Sequence, residues 1–172
     1  MTPSVPPAYA RTLLMRGELA PGTSISGPLL VMPSKQIHRI PGAVRCLGSL
    51  DCSDNPTLTE IEDGLWVKNS LVLANCRMLR LIGNDLTVGM ELSPEDDPGN
   101  QDLDLQNCLS LSKIGNGLRV GGNILLSGCP TNIVLPEVGF VGKNLYLPKG
   151  YTAERIPKGL QILGTAYSTT EH

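Results

Sequence analysis

The side chains of this chain equipped for chemistry are five cysteines, two histidines and sixteen acids. Cys46, Cys52, Cys76, Cys108 and Cys129 show no C-x-x-C spacing, and neither His38 nor His172 is patterned with any of them, so the ligand set of a structural zinc site is missing. An odd cysteine count in a chain of this size reads as free thiols in a reducing compartment. Glu91, Glu95, Asp96, Asp97, Asp102 and Asp104 offer the oxygens that calcium takes, but not in the D-x-[DN]-x-[DN]-G order, and read as a solvated loop. The glycines around Gly121 and Gly122 match neither G-x-G-x-x-G nor G-x-x-x-x-G-K-[ST], so nothing points to a nucleotide. Two histidines do not assemble a hydrolase triad, and His38 reads as a surface residue. No metal and no cofactor is expected, and an enzyme is a minor alternative only.

Composition narrows the partner classes. Fourteen Lys and Arg against sixteen Asp and Glu give a net charge of −2, and only Trp66, Phe140 and four tyrosines are aromatic. Neither electrostatics nor stacking favours nucleic acid. No apolar run reaches the ~18–20 residues of a membrane span, and the N-terminus lacks a secretory pattern. The expected address is the cytoplasm, or export through a dedicated bacterial secretion system. Charge is uneven along the chain: residues 1–50 carry five bases and one acid, residues 51–110 three and twelve, residues 111–172 six and three.

What must position these residues is a repeat. Short L-x-L-like units begin at Leu29, Leu50, Leu71, Leu103, Ile124 and Leu145, at spacings of 21, 21, 32, 21 and 21. The long interval holds one insertion in the acidic Pro- and Gly-containing stretch 93–102. With each starting residue as position 1, position 12 holds Ile40, Ile61, Ile82, Ile114, Leu135 and Ile156, and position 18 holds Cys46, Val67, Val88, Val120, Val141 and Ile162. Position 16 is apolar except for Gly139, in the fifth and poorest copy.

Positions 16–18 and 1–3 alternate with period two and read as two short strands per rung. The corners between them fall at Gly121–Asn123, Gly142–Asn144 and the I-P-G-A and I-P-K-G segments at Ile40 and Ile156. One rung buries too little to offset the entropy of ordering it, so the rungs must stack. The expected fold is mainly β: a single parallel β-solenoid over residues 19–165, with residues 1–18 as an N-terminal segment and cap and residues 166–172 as a polar tail. Ala8–Met15 is expected to form a short capping helix after a flexible Pro-rich start. Cys108 and Cys129, one rung apart, read as buried structural thiols.

Leu71-Val-Leu-Ala-Asn-Cys76-Arg-Met-Leu79-Arg-Leu-Ile82 resembles the L-x-L-x-x-N/C-x-x-L-x-x-L/I signature of leucine-rich repeats, with Cys76, Cys108 and Cys129 at the Asn/Cys position and Asn55 in the same column. The resemblance covers about 145 residues and is similar to the short repeats of bacterial effectors. It implies a binding module. The second strand segment departs from the family pattern and implies a weakly curved rod. Cys52-Ser53-Asp54 is similar to the C-x-D nucleophile motif of ubiquitin ligases that some effectors fuse to such repeats, but Cys52 sits at an inward position where its sulfur should be inert.

If positions 16 and 18 face inward, position 17 faces outward and aligns Arg45, Trp66, Thr87, Arg119, Phe140 and Gln161. A second outward column at position 2 holds Leu30, Asp51, Val72, Asp104, Leu125 and Tyr146. Trp, Phe, Tyr and Arg on a rigid surface are the types that dominate binding hot spots. The expected function is therefore protein–protein interaction by a monomer, through Arg45, Trp66, Thr87, Arg119, Phe140, Gln161 and Tyr146. The alternative is a structural solenoid that self-assembles end to end. Against a binding role for the columns stands the expectation that the N-terminal segment or the insertion folds over them.

Overall fold

A computed structural model describes residues 4–91 and 101–168. Among these residues the chain winds into a three-sided parallel β-solenoid of about seven turns with one short N-terminal helix. Each strand is only two to four residues long, because corners interrupt the backbone on both sides.

The eight-stranded sheet stacks Ser4–Val5, Ser24–Ile25, Arg45–Cys46, Trp66–Val67, Thr87–Val88, Leu118–Val120, Val138–Val141 and Gly159–Ile162. The seven-stranded sheet begins with Leu29–Leu30 and ends with Ala166–Ser168. These are the two strand segments the alternation predicts. A third sheet, from Arg39–Ile40, Glu60–Ile61, Leu81–Ile82 and Lys113–Ile114, makes the solenoid three-sided. Its strands present one buried isoleucine each, too short an alternation to distinguish from a turn by sequence.

The core is a set of aliphatic columns. Leu50, Leu71, Leu103, Ile124 and Leu145 have essentially no exposed surface, and neither do Ile40, Ile61, Ile82 and Ile114. Burial of each contributes roughly 1.5–3 kcal/mol. Stacking at about 4.8 Å per rung places like on like, which is why the apolar type repeats every 21 residues.

Polar ladders hold the corners. On one corner, Oδ1 of Asp63, Asn84 and Asn116 accepts the backbone N–H of Asn84 (2.7 Å), Asn116 (3.0 Å) and Glu137 (2.7 Å), each one rung on. On a second, Oδ1 of Asp102, Asn123 and Asn144 accepts the N–H of Asn123 (2.6 Å), Asn144 (3.1 Å) and Thr165 (3.0 Å). Glycines stack beside this second ladder: a Cβ on Gly121 would collide with the Gly89 carbonyl, and one on Gly142 with the Gly121 carbonyl. On the third corner Asp54, Asn75 and Asn107 adopt left-handed φ of 58–61°, a conformation these short polar residues tolerate. Among the described residues no buried side-chain nitrogen or oxygen lacks a partner.

The ends are built differently from the middle. Helix α1 spans Pro7–Arg16, starts at a proline whose missing N–H costs nothing there, and stops at Gly17 in the left-handed region (φ 70°). Its buried Ala10 and Leu14 pack toward Leu29–Leu30 and close the first rung. The start of the chain, expected to be flexible, carries the strand Ser4–Val5 paired in parallel with Ser24–Ile25. Ala166–Ser168 pairs with Leu145–Leu147 at the other end. Of the expected insertion 93–102, residues 93–100 lie outside the described residues. Gln101 is buried and Asp102 half-buried; the Gln101 carbonyl accepts the Gly122 N–H (3.1 Å), so both belong to the corner that follows Gly89.

Candidate interaction face

The eight-stranded sheet fixes the position-17 column by parallel register. Arg45 pairs with Trp66, Trp66 with Thr87, Thr87 with Arg119, Arg119 with Phe140 and Phe140 with Gln161. In each strand the following residue is inward and buried or nearly so, which turns the column to the outside. Arg45, Arg119 and Gln161 are exposed, while Trp66, Thr87 and Phe140 are half-buried among their neighbours. The Arg45 guanidinium lies 4.1 Å from the centre of the Trp66 ring, so the two side chains stack along the axis from one rung to the next.

The structure brings six of the seven expected residues onto one face and separates Tyr146 from them. Tyr146 lies on the seven-stranded sheet and stacks on Tyr167 one rung on, ring centres 5.2 Å apart and 17° from parallel. That sheet's outward column also carries Asp51 and Asp104, whose Oδ1 atoms accept the N–H of Ser53 and Gln106. Burial holds the Asp104 carboxyl above its ordinary value. Among the described residues the N-terminal segment does not cover the position-17 column: α1 closes the first rung and Ser4–Val5 extends the sheet edgewise. The insertion, the other proposed cover, falls largely outside the described residues.

The face is not uniform. Arg119, Phe140, Gln161, Val138, Asp85 and glycines at 117, 139 and 159 line an open cleft of about 500 Å³. Its origin is local sequence. In five successive rungs the residue at this corner is in the left-handed region: Gly22, Ala43, Gly64, Asp85 and Gly117, with φ of 54–76°. Val138 takes that place in the next rung, and a β-branched side chain resists positive φ. The corner opens there, and the strand lengthens to the four residues Val138–Val141. Val138 is left 62% exposed. The poor match of the fifth copy was the signal of this cleft.

The remaining chemistry resolves into structure. All five cysteines are free and buried. The thiols of Cys76, Cys108 and Cys129 donate to the carbonyls of Cys52 (3.1 Å), Leu73 (3.2 Å) and Leu105 (3.0 Å) in the preceding rung, and Asn55 reaches Val31 in the same way. Burial pushes the thiols of Cys76 and Cys129 up to about 11 and those of Cys46, Cys52 and Cys108 upward as well, the reverse of nucleophile activation. The C-x-D motif is split by the corner, with Cys52 inside and the Asp54 carboxylate outside accepting from Asn75 (3.0 Å). His38 is exposed, and His172 lies outside the described residues. The acidic cluster is divided too: Asp102 serves a corner ladder, and residues 95–97 lie outside the described residues. No described helix is long and apolar enough to cross a membrane.

Comparison with family models, curated proteins and solved structures returned no significant match to this chain. The class reached is the repeat class itself, a parallel β-solenoid with a 21-residue period.

Proposed function

We propose that the protein is a non-catalytic binding module whose eight-stranded sheet presents its outward face to a partner protein. The observation that carries this reading is the single register-locked column Arg45, Trp66, Thr87, Arg119, Phe140 and Gln161, which gathers the chain's one tryptophan and one phenylalanine with two arginines on a rigid open surface. A monomer fits the reading, since α1 and Ser4–Val5 close the N-terminal end against end-to-end stacking. The leucine-rich-repeat character and an effector role in a bacterium belong to the same proposal and rest on the sequence resemblance alone. Cytoplasmic residence, or delivery through a dedicated secretion system, belongs with them.

The test is capture of a partner by immobilised wild-type protein and by Trp66→Ala and Phe140→Ala variants. A protein retained by the wild type and lost by both variants, with Tm nearly unchanged, supports the reading. Equal retention by all three places the interface elsewhere.

A further inference from the structure

The two large faces of the solenoid carry opposite charge. The outward column of the eight-stranded sheet holds Arg45 and Arg119 and no acid, with Lys68, Asp85 and Glu137 at its margins, whereas the outward column of the seven-stranded sheet holds Asp51 and Asp104 and no base. The cationic face stands out in a chain whose net charge is −2. Arg119 is exposed, and its guanidinium has no hydrogen bond, ion pair or ring contact among the described residues. Arg45, stacked on Trp66, keeps its in-plane N–H donors.

Spacing turns this charge into a pattern. Arg45 and Arg119 are three strands apart, about 14 Å, and Arg45 and Phe140 four, about 19 Å. An extended peptide advances about 3.4 Å per residue, so residues i and i+4 span about 14 Å and residues i and i+6 about 20 Å. Both offsets are even, so residues i, i+4 and i+6 point to the same side of the extended chain.

We propose, resting on the protein-binding reading above, that the partner docks an extended acidic segment along the solenoid axis. Its carboxylates at i and i+4 meet Arg45 and Arg119, and an apolar side chain at i+6 enters the cleft between Phe140 and Val138.

Trp66, the only tryptophan, lies inside this footprint and reports on it. The probes are the capped heptapeptide acetyl-Glu-Ser-Thr-Ser-Glu-Ser-Leu-amide, its reversed sequence, and versions with both Glu replaced by Gln, titrated against the intact protein by Trp66 fluorescence. The expected result is a saturable change with a Glu peptide in one of the two orientations, weakened about tenfold by Glu-to-Gln replacement and similarly by Arg119→Gln. Equal binding of Glu and Gln peptides, insensitivity to Arg119→Gln, or no response at millimolar peptide overturns the inference. Any of those outcomes, combined with partner capture that Trp66→Ala and Phe140→Ala abolish, leaves the binding-face reading standing while the acidic segment falls.

Discussion

Deleting Met90–Asn100 and joining Gly89 directly to Gln101 should leave the fold intact. A Cβ built on Gly89 would lie 2.9 Å from the Gln101 Cα. With a bond of about 1.5 Å to that Cβ, the two Cα atoms are within about 4.4 Å, against 3.8 Å across a trans peptide. The junction Val88-Gly89-Gln101-Asp102-Leu103 then reads like Val120-Gly121-Gly122-Asn123-Ile124 in the next rung, corner ladder included. Removing a closed loop of about twelve residues recovers at most (3/2)RT ln n, about 2 kcal/mol. For a chain of this length that corresponds to an upward Tm shift of at most ~4–8 °C. Thermal unfolding followed by far-ultraviolet dichroism and by Trp66 fluorescence measures it, with the urea midpoint as a second axis. A cooperative transition at an unchanged or higher Tm is expected. A loss of more than about 2 kcal/mol, or non-coincident transitions by the two probes, would refute the claim that the rung closes across this point.

The corner ladders and the thiol column give two further predictions. Asn116→Ala removes the acceptor of the Glu137 N–H and should cost about 1 kcal/mol in urea unfolding, whereas Asn116→Asp should restore most of it, because Asp63 and Asp102 fill the same role elsewhere; equal losses in both variants would deny the ladder. Thiols whose folded pKa lies above the ordinary 9.0 keep in the folded state a proton that the unfolded chain releases, so stability should be level below about pH 9 and fall toward pH 11, and a Cys76→Ala, Cys129→Ala double variant should show a shallower fall. An identical slope in the double variant would remove those thiols from the account.

How much of this was legible in the residues depends on which signal carried it. Columns of Ile and Leu at positions 1 and 12, with mostly Val at position 18, are a bulk signal repeated six times, and they located the stacked core and the outward column containing Trp66 and Phe140. The third sheet left only one buried apolar residue per rung, such as Ile61 beside Glu60, so nothing in the alternation separated it from a turn. The ladders at Asn84, Asn116, Asn123 and Asn144 were also in the repeat. They sat in polar columns whose residue type changes from rung to rung, and a search for apolar identity passes over such columns. Cys76, Cys108 and Cys129 were readable as buried, but their bonds to carbonyls of the preceding rung depend on which way the corner turns. The cleft at Val138 was visible as a weak copy, yet only the backbone shows that a weak copy there opens a corner.

The corner ladders give the stack a direction that the sheets do not. Parallel strands donate both ways along the axis, Trp66 N–H to Val44 O but Ala43 N–H to Asp63 O and Leu50 N–H to Ser70 O. The ladder and thiol bonds run one way only: the N–H groups of Asn84, Asn116, Asn123 and Asn144 donate to Asp63, Asn84, Asp102 and Asn123, and the Cys76, Cys108 and Cys129 thiols donate to carbonyls of the preceding rung. Each acceptor therefore precedes in the chain the group that it holds. A chain emerging from its N-terminus lays down the Asp or Asn oxygen first and the rung that needs it second, which suits these corners to being assembled in the order in which they are synthesised.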